Sequence, residues 1–250
     1  MVQPVDATLI YPDDYPNWFR HRFTRLRPVR RLALRAKMLL KGGIDRFLLN
    51  VSHLVHLGAH HGGERFRYDA LGLHVTWIEA NPAAFARLSS NLAGVRRQRA
   101  LHALVADEEG LVRRFHLASH AGSASSMFER HLHRELFPLV AYDRAITMPT
   151  STLPALLAHH QIRLGTRSAL VMDIQGAELL ALRGARSILE KFTYIKTETA
   201  NLEAYVGGCL EAELDAFLRQ HRFAPVAREK LARLPDGRGL SDVLYRRQPA

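Results

Sequence analysis

The chain has 250 residues, 47% of them apolar, one cysteine and a formal net charge of +11. Such a length carries a full core and suits one large α/β domain with an extension, and the single Cys209 excludes an internal disulfide framework and fits a reducing compartment. No apolar run approaches the roughly 18–20 residues of a spanning helix, and no signal-type apolar segment opens the chain, so a cytosolic protein is expected.

The charge belongs to an arm. Between Tyr15 and Ile44 stand nine bases (Arg20, Arg22, Arg25, Arg27, Arg30, Arg31, Arg35, Lys37 and Lys41) and no acid, whereas the other 26 bases face 24 acids. Residues 1 to about 20 read as an irregular leader with Pro4, Pro12 and Pro16. A helix is then expected from Pro28, with Val29, Leu32, Ala36, Leu39 and Leu40 as its apolar stripe and Gly42-Gly43 as its end. Three uses of the arm fit this pattern: packing the stripe on the domain, docking on an anionic membrane at its inner face, or binding nucleic acid. The division expected is 1–50 for the basic extension and 51–250 for the domain.

From His53 the alternation is regular. Strand 53–58 breaks into the turn Gly58-Ala59-His60-His61-Gly62-Gly63, helix 63–71 follows, and strand 74–79 ends on Glu79. This is the pattern of the first βαβ unit of a nucleotide-binding sheet. Gly58 permits a sharp turn, and Gly62 and Gly63 let backbone N–H groups approach a ligand. Glu79 can accept both hydrogen bonds of a ribose diol. The turn lacks the second glycine of a dinucleotide fingerprint, which argues for a smaller adenosine ligand such as S-adenosylmethionine. An ordinary β–α turn with a carboxylate on a strand end would read the same way.

Helix 82–92, strand 99–105, a turn at Asp107-Glu108-Glu109-Gly110 and a strand 111–117 come next. Residues 119–149 look irregular, with a Ser/Gly/Ala-rich loop (Ser119, Gly122, Ser123, Ser125, Ser126), a short helix up to Pro138 and a strand near 145–148. Ser151 is placed to cap a helix through His159. Strand 169–173, helix 179–189, strand 193–199, helix 210–220 and a hairpin from strands 223–227 and 242–245 complete a mostly parallel sheet covered on both faces.

Ligands of open parallel sheets lie beyond the carboxyl ends of the strands, which selects Gly58, His60, Glu79, Asp107, Asp173, Gln175 and Glu198. Asp107 could receive an adenine amino group, although its turn sequence explains it equally. Glu178, in the first turn of a helix, suits a structural role. Asp173 and Glu198 each follow a strongly apolar strand, where an unpaired carboxylate is costly, so each should have a partner, a ligand or a hard cation such as Mg²⁺. The paired histidines lack zinc spacings, and no structural metal site is expected.

Leu57-Gly58-Ala59-His60-His61-Gly62, Trp77-Ile78-Glu79-Ala80-Asn81-Pro82, Ser125-Ser126, Met172-Asp173-Ile174-Gln175-Gly176-Ala177-Glu178-Leu179 with Leu182-Arg183-Gly184-Ala185, and Thr197-Glu198 together resemble the successive motifs of FkbM-like S-adenosylmethionine-dependent methyltransferases, over roughly residues 50–247. The resemblance implies a Rossmann-like class I methyltransferase fold with an antiparallel last strand, and O-methylation of a small molecule or carbohydrate. It would put Gly58, Ala59, His60 and Gly62 along the methionine moiety and Glu79 on the ribose. Ser125, Ser126 and the 173–178 block would border the reacting end, with Asp173 touching cofactor and acceptor. Two positions depart from the pattern: His56 replaces an acid two residues before the first glycine, and His60 stands where asparagine is common. Asp173 or a histidine would suit the base, with Glu198 as the other catalytic candidate. An RNA methyltransferase, or a non-catalytic docking protein on this fold, are the alternatives.

Overall fold

The structure is a computed structural model that describes residues 27–41, 43–119 and 124–249. The expected leader, the bases Arg20, Arg22 and Arg25, and Gly42, Gly122 and Ser123 lie outside the described residues.

Seven strands form the main sheet: β1 (His53–Leu57), β2 (His74–Glu79), β3 (Gln98–His102), β7 (Ser168–Met172), β8 (Phe192–Ala200), β9 (Phe223–Arg233) and β10 (Gly239–Arg247), in the order β3-β2-β1-β7-β8-β10-β9. Every neighbouring pair is parallel except those made by β10, which runs antiparallel to both β8 and β9. β1 and β7 are almost wholly buried, as central strands covered on both faces must be. The order reverses between β1 and β7, and this switch point locates the ligand crevice.

Helices α1 (Arg27–Lys41), α2 (Arg65–Leu71) and α3 (Pro82–Leu92) cover one face, and α4 (Leu153–His159), α5 (Glu178–Gly184) and α6 (Glu211–Gln220) the other. α3 starts where its sequence dictates. The Asn81 side chain accepts from the backbone N–H of Ala83 and Ala84, at 3.0 and 3.4 Å, and Pro82 occupies the first turn. α4 is capped by Thr152 rather than Ser151, because Ser151 is the last residue of a long strand β6 (Tyr142–Ser151). β6 lies between β4 (Leu104–Val105) and β5 (Val112–Ala118) in a second, three-stranded sheet. The strand expected over 99–105 is thus split at Ala103, its first part staying in the main sheet and its second joining β6.

The extension departs from expectation in two ways. Ile44, Phe47, Leu48 and Leu49, in a 3-10 segment at Gly43–Asn50, lie in the same apolar cluster as Leu54, Val75 and Trp77. The packed unit therefore begins before residue 51. On α1 it is Met38, 5% exposed, and Leu34 that face this cluster, while Leu32, Leu39 and Leu40 are 71%, 53% and 84% exposed. Of the three uses that fit the arm, packing the stripe on the domain is the one that the exposure of Leu32, Ala36, Leu39 and Leu40 does not follow.

Candidate functional site

The carboxyl ends of β1, β2 and β7 open on a cleft of about 540 Å³, counting its mouth. Ile78, Ala103, Leu104, Val105, Phe115 and Met127 give it apolar walls, and Gly58, His60, Glu79, Ser125, Asp173 and Gln175 its polar edge. An apolar slot with a few convergent polar groups is the usual character of a small-molecule site.

Gly58 has φ +74°, and a methyl group built on it would stand 1.7 Å from the Asp173 carbonyl oxygen. The turns after β1 and β7 are therefore in backbone contact, which only glycine allows. Gly62 also has a left-handed backbone, φ +74°, and a Cβ there would press on the tip of the Leu88 side chain of α3 at 2.7 Å. Gly62 and the buried Ala59 do not line the cleft.

Glu79 is 7% exposed, and its carboxylate accepts the His60 N–H at 2.6 Å and the Asn81 N–H at 2.7 Å, one on each oxygen. Burial raises its pKa, and these N–H donors oppose the rise. A carboxylate offers about four acceptor positions, so both oxygens keep capacity for a diol. The residues fit an adenosine ligand: Glu79 for its ribose, the apolar walls for its base, and Gly58 without a side chain between.

Asp173 follows β7. Its Oδ1 accepts from Gln175 Nε2, and its backbone N–H donates to the Leu57 carbonyl at 3.1 Å. Asp173 and Glu198 retain some exposed surface, but both stand in the dense rim of the sheet. Burial pushes Asp173 up to about 7, with Asp242, Glu178 and Glu64 adding to the rise and the Gln175 bond opposing it. Glu198 is raised well above the usual range, by burial first and then by Asp173, Glu178 and Asp242. The two titrate as a pair.

Glu198 does not line the first cleft. It borders a second one of about 350 Å³ with Glu178, Thr199, Tyr205, Cys209 and Glu211. Glu178 itself is a local brace, its two oxygens accepting the N–H groups of Ile174 and Gly176 at 3.0 Å each, as its place in the first turn of α5 suggested.

Several expected residues sit elsewhere. Asp107 is outside the cleft, because the chain leaves β4 at Val105 and carries it against Gly184 of α5. Ser126 is fully buried, donates to the Gln175 carbonyl at 2.7 Å and accepts from the Phe128 N–H, so its neighbour Ser125 is the serine that faces the cleft. His56 turns away: its ring stacks on Trp77 at 4.8 Å beside Tyr68, and burial lowers its pKa. Among the described residues no group of three or more His, Cys, Asp or Glu is arranged to hold a metal ion. Sequence reasoning missed Phe115, Met127 and Tyr205, which belong to no spacing pattern and reach the site through β5, the segment that follows it and the loop after β8.

A family profile described as "Methyltransferase FkbM domain" matches residues 56–225. The chain is also similar to a 2-O-methyltransferase, NoeI, of Sinorhizobium fredii (strain NBRC 101917 / NGR234), 25% identical over 162 residues. That alignment covers 62% of this chain and 65% of NoeI, so it spans a little under two thirds of the relative's length. Among solved structures, an Aeropyrum pernix fibrillarin with bound S-adenosyl-L-methionine aligns at 13% identity and TM-score 0.47, covering 84% of this chain and 73% of that one. A putative RNA methyltransferase of Pyrococcus horikoshii aligns at 13% identity and TM-score 0.40, covering 82% and 83%.

Proposed function

This chain belongs to the FkbM methyltransferase family, and on that premise we propose that it transfers the methyl group of S-adenosylmethionine to a hydroxyl of a small molecule or carbohydrate. The observation that carries the reading is the meeting of Gly58 and Asp173 at the switch point, with Glu79 on one side and the carboxylates Asp173 and Glu198 on the other.

When bound, the cofactor supplies a methyl group made electrophilic by its sulfonium. The chain must then align an oxygen and take its proton. Asp173 Oδ1 is held by Gln175, which leaves Oδ2 for the acceptor's hydroxyl proton. A carboxyl whose pKa burial raises toward neutrality is a stronger base than a free aspartate and suits that step. The carboxyl groups that line the cleft, Glu79 and Asp173, suit a neutral or cationic acceptor better than a phosphate backbone. An RNA acceptor is therefore the weaker reading.

Calorimetric titration of the purified protein with S-adenosylmethionine tests the reading directly, and a folded chain that takes up none would overturn it. In the same assay Glu79→Ala should weaken binding by about 1.5–3 kcal/mol, the scale of hydrogen bonds to a charged group. Unchanged affinity in the folded variant would remove Glu79 from the ribose.

The reading extends to location, in the cytosol at the inner face of an anionic membrane. Burying a large apolar side chain contributes about 1.5–3 kcal/mol, and Leu32, Leu39 and Leu40 forgo it in the free protein. Leucines exposed beside Lys37 on an acid-free helix suit insertion at a lipid surface. Replacing all three leucines by serine should reduce binding to anionic vesicles about tenfold or more without changing the unfolding midpoint. Nucleic acid would be held through the bases alone, so its binding would survive the substitutions and fall with salt.

A further inference from the structure

We infer that Tyr205 is a positioning residue for Asp173, acting through Gln175: its hydroxyl fixes which end of the Gln175 amide faces the Asp173 carboxylate. The inference rests on the reading of Asp173 as the base.

The Tyr205 O–H donates to Gln175 Oε1, and Gln175 Nε2 donates to Asp173 Oδ1. An amide has a donor end and an acceptor end. With its oxygen engaged by the phenol, Gln175 can offer the carboxylate only its N–H. If the amide turned over, its oxygen would face the Asp173 oxygens, and that arrangement is tolerable only when Asp173 holds a proton. The phenol thus favours the ionised carboxylate from two bonds away.

Everything around the relay is built to keep it in one state. Gln175 has φ +57° and Gly176 φ +97°, and a left-handed non-glycine residue persists only where its surroundings over-determine it. Here the Ser126 hydroxyl holds the Gln175 carbonyl. Tyr205 is 3% exposed and packs its ring against Gly176, where a Cβ would lie 3.0 Å from Tyr205 Cδ2. On its other side the His133 ring stands 5.0 Å away, centroid to centroid. His133 is in turn gripped by Arg130, whose Nε donates to its Nδ1 at 2.9 Å while the guanidinium also donates to the carbonyls of Phe137 and Val140.

The charge states are also fixed. Burial, and then Glu198, raises the Tyr205 phenol well above its usual range, so it keeps the proton it donates. Burial and Arg130 push His133 down to about 3, so the stack stays neutral while Asp173 titrates. The charged groups facing Asp173 are Glu64 before α2, Glu178 on α5, Glu198 on β8 and Asp242 on β10. Each favours its protonation, Asp242 even though Lys196 of β8 is paired with it at 2.8 Å, and the hydrogen bond from the Gln175 N–H opposes them.

Tyr205→Phe keeps the ring and removes the donor, and Gln175→Met keeps the length and removes the amide. For each, the acid limb of the turnover–pH profile should move up by about one to two pH units, the scale of one hydrogen bond to a charged group. Turnover at pH 7 then falls about 5–50-fold and recovers at higher pH, with cofactor affinity unchanged in Tyr205→Phe, whose side chain lies outside the cofactor cleft. The double variant should shift no further than either single one, because the two act in series. A second readout needs no turnover: the unfolding midpoint of each protein is followed with pH beside that of its Asp173→Asn partner. The folded pKa of Asp173 lies above its unfolded value, so its stability contribution falls from about pH 4 upward and levels off at the folded pKa. The levelling point should move up in Tyr205→Phe. Acid limbs and levelling points that stay in place in both single variants would overturn the relay. If instead wild-type turnover ignores Asp173, the base reading fails while the levelling points still judge the relay.

Discussion

Asp173→Asn is expected to lower turnover about a hundredfold or more, with a far smaller change in affinity for S-adenosylmethionine. Asparagine fills the same space and can still accept from Gln175 Nε2, so the loop 173–178 should keep its shape. What it lacks is an oxygen basic enough to take a proton. Stability separates this from misfolding. Burial and neighbouring acids hold Asp173 at about 7, so ionising it between about pH 4 and 7 costs the wild type stability that the non-titrating variant retains. Asp173→Asn should therefore be the more stable protein at pH 8 and gain little at pH 4. Adding EDTA to the wild type should leave turnover unchanged, whereas loss that Mg²⁺ restores would make the carboxylate a metal ligand. Normal turnover by the Asn variant would send the search for the base to His60 or Glu198.

Gly58→Ala should unfold the site rather than tune it. The new methyl group would occupy the space of the Asp173 carbonyl, at 1.7 Å, and alanine would sit at φ +74°. A left-handed residue costs about 1–2 kcal/mol and overpacking typically about 1–3 more, so a melting temperature lower by on the order of 10 °C is expected. Gly94→Ala is the control. It meets the same left-handed backbone, φ +81°, but nothing lies within 4 Å of its Cβ, so it should show the smaller backbone effect alone. Equal losses in the two variants would mean that the turns after β1 and β7 do not touch in solution.

These two positions also mark how far the sequence could be read. Gly58 and Asp173 stand at the ends of apolar runs, where strand, turn and crevice follow from local pattern. That Gly58 is needed because Asp173 lies against it is a contact across 115 residues, which no local pattern holds. α1 illustrates another limit. Leu34 with Met38, and Leu32 with Ala36, Leu39 and Leu40, are both helical stripes, and only the groove between α2 and the 3-10 segment decides which one turns inward. Glu178 was legible as a brace because the start of a helix favours a carboxylate. Tyr205 was not legible, since its place depends on a loop wedged between Gly176 and His133. β6 was seen only in part: its exposed, mixed sequence gives a weak alternation, and pairing with β5 supplies the rest.

Lys196 of β8 is held between Asp45 of the 3-10 segment at 3.1 Å and Asp242 of β10 at 2.8 Å. One ammonium thus joins two segments almost two hundred residues apart in the chain. Contacts this distant in sequence close late, after the loop-closure entropy of the intervening chain has been overcome. On the ribosome Phe47 and the leucines beside it can pack on Leu54, Val75 and Trp77 soon after they emerge, whereas the ion pair from Lys196 to Asp242 must wait for β10 and locks the segment in place only then.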